Sequence, residues 1–295
     1  MSWSPRARFL VRLEWDEEMR ALAAAEARAL GATEPLGRGL MWSATPPDPR
    51  ASLLLGGGEV VAAGPPGGPL EPRLTGVTHL HLPRGPWLAS RNPLVYLAEL
   101  GWRVRHAVRG APYELYPTAG GWYLVRCVGA LRFVDPVVPH RYSTSLPPRF
   151  ARAVVNLVAR PGERVIDPVC GAGVLLVEAA RVGCRVRGSD LNKKASWHAR
   201  VNLNALSLPF DEVVQRDALA LGPLEDDALV GDLPYGRMLE RGDPVGLACA
   251  LAGRTRRWAL VAAEDLSAPL AAAGHPPREV VPIPKSYVCR RVHVG

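Results

Sequence analysis

Two short stretches hold residues whose types and spacing could do chemistry. Asp167-Pro168-Val169-Cys170-Gly171-Ala172-Gly173 is rich in glycine, and Asp232-Leu233-Pro234-Tyr235-Gly236 follows further along the chain. An apolar run leads into each, Arg164-Val165-Ile166 and Ala228-Leu229-Val230. Each is therefore expected where a buried parallel strand ends and a loop begins. The second stretch offers a carboxylate, a carbonyl and an aromatic ring, which suits methyl transfer to a planar amine. An exocyclic amine is a poor nucleophile because its lone pair is delocalised into the ring. Two acceptors on its hydrogens draw the nitrogen toward tetrahedral geometry and aim the lone pair at a methyl sulfonium. Asp232 supplies one acceptor and the Leu233 carbonyl the other, while Pro234 keeps Leu233 extended. Tyr235 can stack on an extruded base, a contact worth roughly 1–3 kcal/mol. Gly236 permits a sharp exit. Alone, the first motif also reads as a tight turn and the second as a Pro-Tyr loop of no function.

Further acids sharpen the first motif. Its glycines let the backbone approach a ligand, and the helix N-terminus beyond them favours a carboxylate. S-adenosylmethionine carries such a carboxylate, so Asp167, Gly171 and Gly173 are expected at its methionine end. Phosphate readings fit less well, since neither G-x-x-x-x-G-K-[ST] nor a full G-x-G-x-x-G is present. Asp190 ends the next expected strand, Val186-Arg187-Gly188-Ser189-Asp190, where nucleotide sheets place an acid against ribose hydroxyls. Asp217 follows Val213-Val214-Gln215-Arg216, where an acid can accept from an adenine amino group. Pro168 and Cys170 within the turn, and Leu191 and Ala218 beside these acids, complete the expected cofactor contacts. Any one of these acids could be a loop or cap residue; three ending three successive strands are harder to dismiss.

The elements that must position these residues are legible from about residue 140. A helix from Pro148 to Arg160 precedes strands at 165–169, 185–189, 212–215, 228–233 and 258–263. Helices at 173–182, 192–205, 244–254 and 266–273 alternate with them. Two closing strands, 279–283 and 287–294, must be antiparallel neighbours. Alternating β and α units predict a doubly wound parallel sheet, and a terminal hairpin on it is the layout of the class I methyltransferase fold. The expected architecture is α/β: a Rossmann-like sheet with an antiparallel terminal hairpin strand over residues 140–295, plus a smaller α+β domain over 1–139. That domain reads as a strand at 7–15, a helix from Asp16 to Gly31, and a hairpin of 52–55 with 59–62 around Gly56-Gly57-Gly58. A strand at 77–82, a helix from Asn92-Pro93 to Gly101, and strands at 103–108, 122–128 and 131–134 follow.

Composition sets the outer limits. The 295 residues suffice for two domains, with 48% hydrophobic and 22% charged residues, ordinary for a globular protein. No apolar run approaches the roughly 18 residues of a spanning helix, and Met1-Ser2-Trp3-Ser4-Pro5-Arg6 lacks a signal-peptide core, so no membrane partner and a cytoplasmic location are expected. The five cysteines are scattered without a Cys-x-x-Cys pair, and the seven histidines without ligand spacing, so neither a disulfide framework nor a metal is expected. Net charge is +8, and only three of the 36 basic residues are lysines. Arginine forks suit phosphates and bases, so an RNA partner is plausible; biased composition accounts for the charge equally well.

The quoted motifs resemble those of the THUMP-associated tRNA guanine-N2 methyltransferases, which share the class I fold with amino-methylating DNA enzymes. The family's D-P-[FM]-C-G-[ST]-G is matched at Asp167–Gly173, and its second motif at Asp232–Gly236. The lead-in is similar too: His140-Arg141-Tyr142-Ser143-Thr144-Ser145-Leu146-Pro147-Pro148 before Ala151–Leu157, which in the family packs beside the cofactor. The likeness runs from about residue 120 to the end. The family's commoner D-P-P-Y has proline where this chain has Leu233; D-L-P-[FY]-G occurs in some guanine-N2 branches and leans toward guanine over adenine. The resemblance implies an S-adenosyl-L-methionine-dependent enzyme that methylates the N2 amine of a guanosine in tRNA. Asp232, Leu233, Pro234 and Tyr235 would be catalytic. It also implies a reduced or divergent RNA-docking domain at the N-terminus, with Arg103, Arg105 and Arg109 as RNA contacts, and favours a monomer. Two alternatives remain: an adenine-N6 or ribosomal-RNA guanine-N2 enzyme on the same fold, and an RNA-binding protein that has lost catalysis.

Overall fold

The computed structural model describes residues 9–13, 19–37, 39–64, 79–80, 105–106, 112–118, 121–127, 133–222, 224–234, 243–283 and 290–295. The chain divides into two compact units, Met1–Arg132 and Phe133–Gly295.

In the first unit, β1 (Phe9–Leu13) precedes α1 (Arg20–Ala29), β2 (Ala32–Gly37), β3 (Leu40–Ser43) and β4 (Leu54–Gly64). Then come β5 (His79–Leu80), β6 (Arg105–His106), β7 (Tyr113–Thr118) and β8 (Gly121–Cys127). Six strands form an antiparallel sheet in the order β2-β3-β1-β4-β8-β7, and β5 pairs with β6 in parallel. Leu10, Leu40, Val60, Tyr116 and Val125 make one core cluster. The buried Glu26 carboxylate ties α1 to the β3–β4 connection, accepting from the Ser52 N–H (2.9 Å), the Ser52 hydroxyl (2.8 Å) and the Leu53 N–H (2.8 Å).

Two expectations for this region need correction. Gly56-Gly57-Gly58 is no hairpin turn, because β4 runs straight through it between β1 and β8. The glycines allow both neighbours to come close. A Cβ on Gly57 would lie 2.2 Å from the Leu10 carbonyl oxygen, and one on Gly58 1.9 Å from that of Arg126. The strand expected at 131–134 is also absent from its described part, Phe133 and Val134. Side chains replace a ladder there: the Arg152 and Arg181 guanidiniums lie 5.6 and 5.4 Å from the Phe133 ring centre, and Arg181 Nη2 donates to the Val134 carbonyl (2.8 Å). Asp16 and the helix expected from Asn92 to Gly101 lie outside the described residues.

The second unit follows the expected alternation. Its elements are α2 (Pro148–Val158), β9 (Arg164–Asp167), α3 (Val174–Arg181), β10 (Arg185–Asp190), α4 (Lys193–Ala205) and β11 (Glu212–Gln215). A 3₁₀ turn (Ala218–Ala220), β12 (Ala228–Asp232), α5 (Pro244–Leu251), β13 (Arg257–Ala262), α6 (Ser267–Ala272), β14 (Glu279–Ile283) and β15 (Arg290–Val294) complete it. The sheet order is β11-β10-β9-β12-β13-β15-β14, with β9 to β13 parallel and β15 antiparallel to both neighbours. This is the class I methyltransferase arrangement. Strands covered on both faces read as continuous apolar runs, and β12 and β13 are buried along almost their whole length. Ile166, Leu229 and Leu260 pack with Leu251, Leu266 and Leu270 in one layer. Pro148 and Pro244 stand in the first turns of α2 and α5, where a missing N–H costs nothing. Strand order reverses between β9 and β12, and sheets of this kind bind ligands at such switch points.

Candidate active site

Register brings the two motifs together. Val165 and Ile166 on β9 pair with Ala228 and Leu229 on β12, so Asp167 and Asp232 both emerge at the carboxyl edge. A Cβ on Gly231 would lie 3.1 Å from Val169 Cγ2 and 4.0 Å from Asp167 Oδ1, so the two chain segments pack against each other. On the other side of β9, Gly188 pairs with Asp167, which carries Asp190 two residues beyond to the same edge. Asp190 pairs in turn with Gln215 on β11, and the Arg216 N–H donates to the Asp190 carbonyl (3.0 Å).

The glycine turn is built from backbone and carboxylates. Gly171 and Gly173 have φ of 53° and 82°, the left-handed region that disfavours side chains. Nothing lies within 4 Å of a Cβ placed on Gly171, whereas one on Gly173 would meet Ala199 Cβ at 2.8 Å. The turn is thus open to a ligand at Gly171 and pressed onto α4 at Gly173. Asp190 locks it, with Oδ2 accepting from the Gly171 N–H (2.8 Å) and Oδ1 from the Asn192 N–H (2.8 Å). The Cys170 N–H donates to the Ser189 carbonyl (2.9 Å). Asp167 is only 1% exposed and accepts from the Val169 N–H (3.1 Å), so it shapes the turn from beneath. Burial pushes its carboxyl well above the usual range against that hydrogen bond, and the charges of Asp190 and Asp232 add to the rise. Burial likewise raises the Cys170 thiol, followed by Asp167 and Asp190. Pro168 is buried; Leu191 is exposed at the mouth of the turn. Asp217 is exposed and caps the 3₁₀ turn, accepting from the Leu219 N–H (2.9 Å), with Ala218 buried beneath it.

The lead-in segment is stitched to this turn. Asn202 on α4 accepts from the His140 N–H (2.9 Å) and donates to the carbonyls of His140 (2.7 Å) and Ala172 (2.9 Å). The His140 and His198 rings stack at 3.9 Å, and the Tyr142 hydroxyl lies 2.7 Å from His198 Nδ1.

At the second motif, Asp232 is 17% exposed and Leu233 only 1%. Leu233 is fixed from two directions: its side chain joins the core against α5 and α6, and its N–H donates to the Val261 carbonyl (2.9 Å). A proline at 233 has no N–H and could not make that bond. Tyr235 and Gly236 lie outside the described residues, as do Arg103 and Arg109. Arg105 falls on β6.

One charged partner of the site is absent from the sequence reading. Arg290, at the start of β15, donates through Nη1 to Asp232 Oδ1 (3.1 Å) and Oδ2 (2.8 Å), and through Nη2 to the Thr144 carbonyl (2.5 Å). Period-2 alternation held the signal, since Arg290 shares a strand face with the buried Val292 and Val294.

A carboxylate-locked glycine turn, open at Gly171 and flanked by strand-end acids, fits the carboxylate, ribose and adenine of S-adenosylmethionine. Among the described residues no cluster of His, Cys, Asp and Glu could hold a metal ion, and no helix is long and apolar enough to cross a membrane.

Comparison with known proteins places these loops in context. Residues 138–246 match the family described as RMKL-like, methyltransferase domain. A tRNA (guanine(10)-N2)-dimethyltransferase of Methanothermobacter thermautotrophicus is 40% identical over 100 residues, covering 33% of this chain and 30% of that protein. The mouse U6 snRNA (guanine-N(2))-methyltransferase THUMPD2 is 26% identical over 160 residues, 52% of this chain and 30% of that one. The matches thus span about a third of the relatives' length. The crystal structure of TrmN from Thermus thermophilus aligns over 97% of this chain and 98% of its own, at 19% identity and a TM-score of 0.50, a likeness of fold.

Proposed function

We propose that this chain transfers a methyl group from S-adenosylmethionine to the exocyclic N2 amine of a guanosine in tRNA. The observation that carries this reading is the adjacency of Asp232-Leu233 to the Gly171 turn across β12 and β9. The guanine-N2 activity named for the matched relatives supports the choice of target.

When bound, the cofactor supplies an electrophilic methyl on a sulfonium. The Gly171–Gly173 backbone would hold its methionine end above α3, with Asp167 keeping the turn's shape. Asp190 already accepts two backbone N–H groups, yet each carboxylate oxygen can accept a second bond. That spare capacity would take the ribose hydroxyls, and Asp217 would take the adenine amino group. Asp232 and the Leu233 carbonyl would accept the two hydrogens of the guanine amine, drawing its lone pair out of conjugation. As the N–C bond formed, the methyl–sulfur bond would break and leave a neutral thioether, and the amine, then cationic, would lose its surplus proton to Asp232, directly or through water. Tyr235 would stack on the base, and the Arg103, Arg105 and Arg109 segment would contact RNA. A monomer in the cytoplasm completes the reading.

The test is transfer of a radiolabelled methyl from S-adenosylmethionine to unmodified tRNA. The wild type should label tRNA, and Asp232→Ala should lower kcat at least about 100-fold, the scale of losing an oriented polar group at the reacting centre. No label with wild type, or full activity in Asp232→Ala, overturns the reading.

A further inference from the structure

Arg290 stands out among the described residues as a fully buried cation, 0% exposed at the start of β15. A guanidinium at that depth is strongly destabilising unless matched by an anion and by acceptors for its remaining N–H groups. Strand register explains how it reaches one. Asp232 pairs with Val261 across β12 and β13, and Val261 pairs with Val292 across β13 and β15. Because β15 runs antiparallel, its first residue lies two positions beyond Val292, toward the edge where Asp232 emerges. Arg290 therefore reaches across β13, placing Nη1 against both Asp232 oxygens at 3.1 and 2.8 Å. Nη2 reaches the Thr144 carbonyl at 2.5 Å, in the lead-in segment that Asn202 also ties to the glycine turn.

We propose that Arg290 is a positioning residue for methyl transfer: it holds the Asp232 carboxylate in one rotamer and fixes that carboxylate to the lead-in segment. The inference rests on the reading of Asp232 as an acceptor for the target amine. The terminal torsion of an aspartate has a broad distribution, so the plane of its carboxylate is set by what holds its oxygens. Contact with one nitrogen through both oxygens fixes the carboxylate plane that the target amine would meet. The Thr144 contact adds a second constraint, since the guanidinium is planar and cannot turn toward one partner without leaving the other. The site is thus assembled from three distant parts of the chain by one side chain. A displacement of about 1 Å at a reacting centre can cost about 100-fold in rate.

The experiment uses the full chain with Arg290→Met, Arg290→Lys, Asp232→Asn and the double variant Asp232→Asn/Arg290→Met. Sites are counted by calorimetric titration with S-adenosylhomocysteine, so that kcat refers to folded protein. Arg290→Met should lower kcat by about 10- to 100-fold, with the KM for tRNA and the Kd for S-adenosylhomocysteine within about twofold of wild type. Arg290→Lys keeps the charge and one contact and should recover part of that loss. The double variant carries no unpaired buried charge and should turn over no more slowly than Asp232→Asn alone, because Arg290 then has no carboxylate to orient. If Arg290→Met does not fold, Arg290→Lys and the double variant still decide. Wild-type kcat in Arg290→Met or in Arg290→Lys overturns the inference. So does a double variant whose loss is the product of the two single losses, which marks a purely structural role. A wild type that labels no RNA refutes the Asp232 reading itself; a slow Asp232→Asn beside a fast Arg290→Met refutes only the role of Arg290.

Discussion

Leu233 shows how one side chain serves core and site together. Its N–H bond to Val261 and its buried side chain fix the peptide whose carbonyl stands beside Asp232. Leu233→Pro should keep that carbonyl and therefore measurable methyl transfer, but should lower stability by about 1–3 kcal/mol, because the Val261 carbonyl loses its donor. Denaturant melts read the stability and the labelling assay reads the transfer; unchanged stability would refute the structural role of that bond. Asp167 and Asp232 were legible in the sequence because each ends an apolar run, and Asp190 and Asp217 because each ends or follows the next expected strands in chain order. Arg290 was not. Its partner lies on another strand two positions across the sheet, and only register joins them.

Elements of the second unit were legible because alternating strands and helices announce themselves through apolar runs, Pro148, Pro244 and the Asn192 and Asp243 caps. In the first unit, β2 (Ala32–Gly37) carries no apolar run, and Gly56-Gly57-Gly58 looked like a turn. Only the positions of Leu10 and Arg126 explain glycine inside a strand. The inner strand β15 of the second sheet also carries a pH-dependent contact. His293 on β15 is 0% exposed, and its Nε2 accepts from the Leu266 N–H at the start of α6 (2.9 Å), which requires the neutral ring. Burial holds its pKa below the usual 6.5, against the raising effects of Asp265 and the Leu260 backbone, with Arg291 lowering it further. Asp265 is held down to about 2, chiefly by hydrogen bonds from Ser267, and stays charged throughout this range. A histidine with a depressed folded pKa gives the unfolded chain more protons, so its contribution is complete above about pH 6.5 and is lost as pH falls toward the folded value. Thermal melts from about pH 7 to 5 should therefore show a steeper fall in Tm for wild type than for His293→Gln, whose amide oxygen can accept the same N–H at any pH. Parallel curves would refute the assignment.

At the scale of the molecule, the proposed function requires a chain of net charge +8 to exchange counterions for phosphate contacts when it binds tRNA. Each neutralised phosphate in a duplex region should weaken tRNA binding by about 3.5-fold between about 50 and 200 mM salt, while S-adenosylhomocysteine affinity changes little. A salt-independent tRNA affinity would contradict a polyanion partner. The central claim is narrower: Asp232 and Leu233 present an amine nitrogen of guanine to the methyl donor. It is tested most directly by nucleoside mass spectrometry of unmodified tRNA incubated with the wild-type chain and S-adenosylmethionine carrying a deuterated methyl. The account predicts deuterated N2-methylguanosine, absent when Asp232→Ala replaces the wild type. Label on adenosine or on another atom of guanosine, or equal label from the variant, would contradict it.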